Sequence, residues 1–168
     1  MKGKDFEREV KRGIDKLKDY FVIHERDAPV SYSGAQTFGG KFTFLPKKKA
    51  DFFLVSDKYP NHAIEVKWTS GKSFAFSRFN EHQKKALLDY ELKAGLGWIL
   101  HGYFINEKPT VCGIRTKDWL TIEDTIDKKS FNFEKDSHFL DAYAIWFERV
   151  KMKSNYYIDL SPLKKEKI

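Results

Sequence analysis

The stretch that decides the fold is KADFFLVSDKYPNHAIEVK, residues 49–67. Phe52-Phe53-Leu54-Val55 is an apolar, β-prone run, Asp57-Lys58-Tyr59-Pro60-Asn61 breaks it, and Ala63-Ile64-Glu65-Val66-Lys67 resumes it with alternation. The pattern predicts two strands joined by a turn. Period two puts His62, Ile64 and Val66 on one face of the second strand. Ala63, Glu65 and Lys67 take the other, so a carboxylate and an ammonium stand side by side. In a hairpin symmetric about Lys58, Asp51 falls opposite Glu65, at the ~4.5–5.5 Å Cβ separation of cross-strand pairs. Two like charges facing each other destabilise a sheet that has only structure to maintain. A divalent cation between them reverses the sign, because paired carboxylates are what Mg²⁺ takes from a protein when phosphate oxygens and waters supply its other ligands.

Outward from this hairpin, Gly3 to Asp19 reads as a helix with Phe6, Val10, Ile14 and Leu17 as its apolar stripe and Glu7 at the stripe's border. Tyr20 to His24 reads as a strand. Thr37-Phe38-Gly39-Gly40 and Phe42-x-Phe44 have the pattern of a hairpin with a tight Gly-Gly turn, close to the basic run Lys47-Lys48-Lys49. Aromatics beside lysines suit stacking on unpaired bases with phosphate contacts alongside, and the competing reading packs the phenylalanines on the core. Ser73 to Phe76 reads as a short strand. Asn80 opens a helix, with Gln83 as its capping-box partner and Gly95 as its stop. The stripe Phe79, Gln83, Ala86, Leu87, Tyr90 turns Gln83 inward. Gly97–Ile105 and Val111–Thr116 are strands around an Asn106–Pro109 turn, and Thr116 caps a helix to about Ile122. Beyond Ser130, Ala142–Val150 and Tyr156–Leu160 suggest two more strands, the first also compatible with a helix.

Aspartate, then Glu-x-Lys on the next strand, resembles the PD-(D/E)XK nuclease superfamily, with Asp51, Glu65 and Lys67 at the motif positions and Ala50 in place of the leading proline. Glu-x-Lys recurs at Glu9–Lys11 and Glu91–Lys93, where helical periodicity makes it a solvated face. The opening Lys2–Val10 is similar to that of archaeal Holliday-junction resolvases and their bacterial RecU-type relatives, in which a glutamate four positions after a glycine joins the metal site; Glu7 matches. Thr69, completing Glu-x-Lys-x-Thr, and His82-Gln83 extend the likeness. The resemblance implies an α/β fold with a mixed central β-sheet flanked by helices, a restriction-endonuclease-like core. It implies a Mg²⁺ site, open to Mn²⁺, formed by Asp51, Glu65, the Val66 carbonyl and Glu7. Lys67 and Gln83 would serve the reaction, and Phe38, Phe42, Lys47, Lys48, Lys49, Thr69 and His82 would touch DNA. The activity implied is resolution of four-way DNA junctions by a homodimer. A duplex endonuclease of restriction or repair type, and a basic module that only binds nucleic acid, are the alternatives.

Composition agrees with a nucleic-acid partner. The 168 residues carry a net charge of +7, and each phosphate neutralised by a lysine or arginine releases counterions. One cysteine, Cys112, excludes an intramolecular disulfide. No segment reads as transmembrane or as a signal peptide, and the expected setting is cytoplasmic, in a cell or on behalf of a virus. The length fits a single nuclease domain, with a core of about 3–125, a projecting hairpin of about 31–48 and a C-terminal extension of about 130–168.

Overall fold

The computed structural model describes residues 2–24, 30–32, 42–44, 50–93 and 95–166. Its first helix, α1 (Gly3–Ile14), forms around the apolar stripe, with Phe6, Val10 and Ile14 buried. It stops at Ile14 rather than at Asp19. The turns that follow fold Leu17 and Tyr20 back onto the same core. Strand β1 (Phe21–His24) comes next, then β2 (Val30–Tyr32) and β3 (Phe42–Phe44), which pair only with each other. Val30 lies opposite Phe44 and Tyr32 opposite Phe42, so the connection spans 33–41. Phe38, Gly39, Gly40 and the Lys47–Lys49 run lie outside the described residues, as does the side chain of Phe42.

The deciding hairpin forms as its pattern requires. Strands β4 (Phe52–Val55) and β5 (His62–Trp68) pair antiparallel, with Phe52 opposite Ile64 and Leu54 opposite His62, a register symmetric about Lys58. After β6 (Ser73–Ala75) and a 3-10 turn at Phe76–Arg78, α2 (Glu81–Lys93) leads into β7 (Leu96–Ile105). Because β5 and β7 run parallel, with Lys67 opposite His101, the chain must cross back over the sheet, and α2 makes that crossover. Strand β8 (Lys108–Arg115) returns after two residues, Asn106 and Glu107, whose φ angles of 47° and 64° fit a type I′ turn. The turn is shorter than expected, and Pro109 sits inside β8 opposite Phe104. Helix α3 (Thr116–Thr125) begins one residue earlier than a Thr116 cap would place it: Arg115 is the N-cap, and the buried Thr116 hydroxyl has no partner among the described residues. Strand β9 (Ser130–Asn132), α4 (Ser137–Tyr143), β10 (Ala144–Phe147), β11 (Arg149–Lys151) and β12 (Tyr156–Ile158) complete the order.

Six strands make the central mixed sheet, in the order β1-β4-β5-β7-β8-β10. Strand β6 pairs with β9 instead of joining it, and β11 with β12. One face of the sheet packs Ile64, Trp68 and Leu100 against Phe6, Val10 and Ile14 of α1, with Ile158, Leu160 and Leu163 closing that core. On the other face, Ala63, Ile99 and Ile114 meet Leu87 of α2, Trp119 and Ile122 of α3 and Leu140 of α4. Residues after 130 are thus part of both cores: Phe131 and Phe133 are buried in the second. Gly13 lets α1 rest on β12, since a Cβ there would sit 1.9 Å from the Ile158 carbonyl oxygen. Among the described residues no helix is long and apolar enough to cross a membrane.

Candidate active site

Strand β5 is buried on both faces, so its polar residues must find partners inside the protein. The ladder with β4 ends at Phe52. One residue earlier, Asp51 donates its backbone N–H to the Ile64 carbonyl at 3.0 Å, and its Oδ2 accepts the Val66 N–H at 2.9 Å. The carboxylate takes the place of the backbone acceptor that β4 no longer supplies. Within a strand residue N–H and C=O point the same way, so the Val66 carbonyl lies on the Asp51 side as well.

Glu65 is 4% exposed. Alternation puts it on the face of Lys67, whose Nζ donates to Glu65 Oε1 at 2.7 Å. Gln83 Nε2 donates to the same oxygen, and Gln83 Oε1 accepts Lys67 Nζ at 3.2 Å. The start of α2 delivers this glutamine. Asn80 Oδ1 accepts the Gln83 N–H at 3.0 Å while Gln83 Oε1 accepts the Asn80 N–H at 3.3 Å, a reciprocal cap that fixes the side chain over β5. The capping box expected from sequence is thus also what ties the helix to the carboxylate.

Asp51, Glu65, Val66, Lys67 and Gln83 therefore come together where β4 begins and β5 ends. Glu7 is half-buried on α1, whose core-facing residues pack on the opposite face of the sheet from Glu65. His82 is exposed in the first turn of α2. Thr69 departs from expectation: it is buried, and its hydroxyl accepts a bond from Arg78 rather than facing outward. Among the described residues no three His, Cys, Asp or Glu side chains gather as a metal-binding group. The hard oxygen donors on hand are two strand-end carboxylates and a backbone carbonyl, a set that suits Mg²⁺ when phosphate and water complete the shell.

Two neighbours escaped the sequence reading. His101, directly across from Lys67, is fully buried among Phe74, Trp119 and Phe133, with neither ring nitrogen hydrogen-bonded among the described residues. Burial pushes its pKa down to about 3, with the Lys67 and Arg78 charges adding to the effect, so the ring is neutral. A lone histidine in the apolar run GWILHGYFI was the signal available. Arg78 donates to the Trp68 carbonyl at 2.8 Å and to Thr69 Oγ1 at 3.1 Å, and no local pattern marks it out.

The other Glu-x-Lys triplets do lie on helices, but neither glutamate is solvated. Glu9 forms a two-pronged pair with Arg149 at 2.6 and 2.7 Å, and Glu91 pairs with Arg115 at 3.1 Å. Compared with known proteins, the chain matches no family model and no curated sequence.

Proposed function

We propose that the chain is a metal-dependent endodeoxyribonuclease with a restriction-endonuclease-like core, acting on four-way DNA junctions as a homodimer. The observation that carries this reading is the meeting of Glu65, Lys67 and Gln83 on one buried oxygen beside Asp51, in the order of elements that the PD-(D/E)XK resemblance implies. A buried carboxylate tied to a lysine, one residue from the backbone N–H that a second carboxylate holds, is a costly way to stabilise a strand end. It is an economical way to prepare phosphodiester hydrolysis.

Asp51, Glu65 and the Val66 carbonyl would hold Mg²⁺ or Mn²⁺, with Glu7 joining through water. When bound, the ion supplies Lewis-acid activation of a water and charge compensation at the phosphate. Lys67 orients or deprotonates the attacking water and offsets charge on the phosphate. Gln83 keeps Lys67 and Glu65 in register, because its two amide ends serve one each. The products carry 5′-phosphate and 3′-hydroxyl ends.

The test is a labelled four-way junction incubated with Mg²⁺ or with a chelator, and with linear duplex as competitor. Paired nicks on strands of like polarity, dependent on the ion and resistant to duplex competition, are expected. Equal cutting of duplex would make the protein a duplex endonuclease. Binding without cleavage in either Mg²⁺ or Mn²⁺ would leave only a binding module.

A further inference from the structure

We infer that Arg78 is a phosphate-binding residue of this site, gripping the sugar–phosphate backbone of the substrate strand next to the bond that is cut. The inference rests on the nuclease reading for the identity of the ligand. Its geometry stands apart from that reading.

Arg78 closes the 3-10 turn between β6 and α2 and is exposed to solvent. Its guanidinium is nevertheless held in place: Nη2 donates to the Trp68 carbonyl, Nη1 to the Thr69 hydroxyl, and the group lies over the Phe74 ring at 5.0 Å. Thr69 and Phe74 are buried, so the footing is rigid. Trp68 and Thr69 directly follow Lys67, which puts the anchor roughly 10 Å along β5 from Glu65, within a few nucleotides of the reacting phosphate.

A guanidinium has five N–H donors. Two are spent on neutral oxygens, and the other three have no acceptor among the described residues. Arg8, Arg115 and Arg149 each face a carboxylate; Arg78 faces none among the described residues. An arginine that is immobilised, exposed and without an anion matches the planar, two-pronged geometry of a phosphodiester, with little freedom left to lose on binding.

The experiment compares wild type with Arg78→Gln and Arg78→Lys. Binding to a labelled four-way junction and to linear duplex is measured with a chelator present, over a range of salt concentrations. Glutamine can still donate to the Trp68 carbonyl, so the end of β5 keeps its partner while the charge is lost. Arg78→Gln should weaken binding to both substrates about tenfold and flatten the plot of log K against log salt by about 0.9, one phosphate's worth. Arg78→Lys should keep the slope and lose several-fold in affinity, since the charge remains and the fork does not. Unchanged affinity and slope in Arg78→Gln would overturn the assignment, as would a loss that simply follows a fall in melting temperature. If wild type binds neither substrate, the nuclease reading fails first and the role of Arg78 with it. If wild type binds and cuts while Arg78→Gln binds as well, only the role of Arg78 fails.

Discussion

Glu65 and Lys67 are 5% and 14% exposed at their side chains, so any substitution there tests folding as well as chemistry. Asp51→Asn is the cleaner probe, because an asparagine oxygen can still accept the Val66 N–H. Cleavage should vanish while junction affinity holds or improves, since removing a carboxylate removes repulsion of phosphate when no metal is bound. A variant that cuts at a comparable rate would remove Asp51 from the mechanism. Glu65→Gln should also abolish cleavage, but with a lower melting temperature, because Lys67 is left nearly buried without its counter-charge. The two buried histidines contribute to the pH dependence of stability. Trp98 donates to His62 Nδ1 at 3.0 Å, which leaves the His62 proton on Nε2, facing the Tyr20 hydroxyl at 3.2 Å. Burial, helped by the Arg115 charge, lowers His62 from 6.5 to about 4, and His101 falls to about 3. Folded values below the unfolded 6.5 mean that this stability is complete above pH 6.5, drains as pH falls below it, and is fully lost once pH has passed 4 for His62 and 3 for His101. The loss is about 3 kcal/mol for His62. Urea unfolding at pH 8, 6, 5 and 4 reads it, and His101→Leu should flatten the lower part of the decline. A stability that does not change from pH 6.5 to 4 would contradict the burial argument.

At the level of elements, the strands and helices around the site were legible because each carries a clean period and punctuation: alternation in β5, the 3–4 stripe of α1, and Asn80 with Gln83 at the head of α2. What escaped depends on pairing across the chain. Nothing local tells that β6 pairs with β9, that Glu9 waits for Arg149, or that Thr69 turns inward to hold Arg78. Gly13 is another such case, readable by sequence only as a weak helix residue. Replacing it with alanine gains ~1 kcal/mol of helix propensity. The new methyl cannot coexist with the Ile158 carbonyl, so a net loss of about 1–3 kcal/mol is expected in urea unfolding. A variant as stable as wild type would mean that α1 can lift from β12 without cost. Under the proposed function, Phe38 and Phe42 would serve junction choice. Phe38→Ala with Phe42→Ala should weaken junction binding by roughly tenfold or more if one base stack is lost, and leave duplex binding alone. Equal weakening on both substrates, or a plain fall in melting temperature, would return these phenylalanines to the core.

For the whole molecule, paired nicks in a four-way junction call for a two-fold assembly, because one site cannot place two cuts symmetrically. Of the aromatics after Ser130, Phe131 and Phe133 are core, Phe139 packs against it, and Tyr156 lies under the Arg149 guanidinium at 3.5 Å. Trp146 differs. It is 45% exposed on β10, an edge of the central sheet, and in the proposed dimer it would lie at the contact between copies. Trp146→Glu should sediment as a monomer with its fold intact; a wild-type protein that is monomeric both free and on a junction would end the dimer proposal. The seam between α1 and the β11–β12 hairpin has a consequence in time. The glutamate that clamps it, Glu9, meets its arginine 140 residues further along, and the apolar floor beneath α1 is completed by Leu163. A ribosome delivers the helix early and its counterpart late. A growing chain would therefore carry α1 undocked until Arg149 and Leu163 have been made, so the first helix synthesised is among the last elements to find its seat.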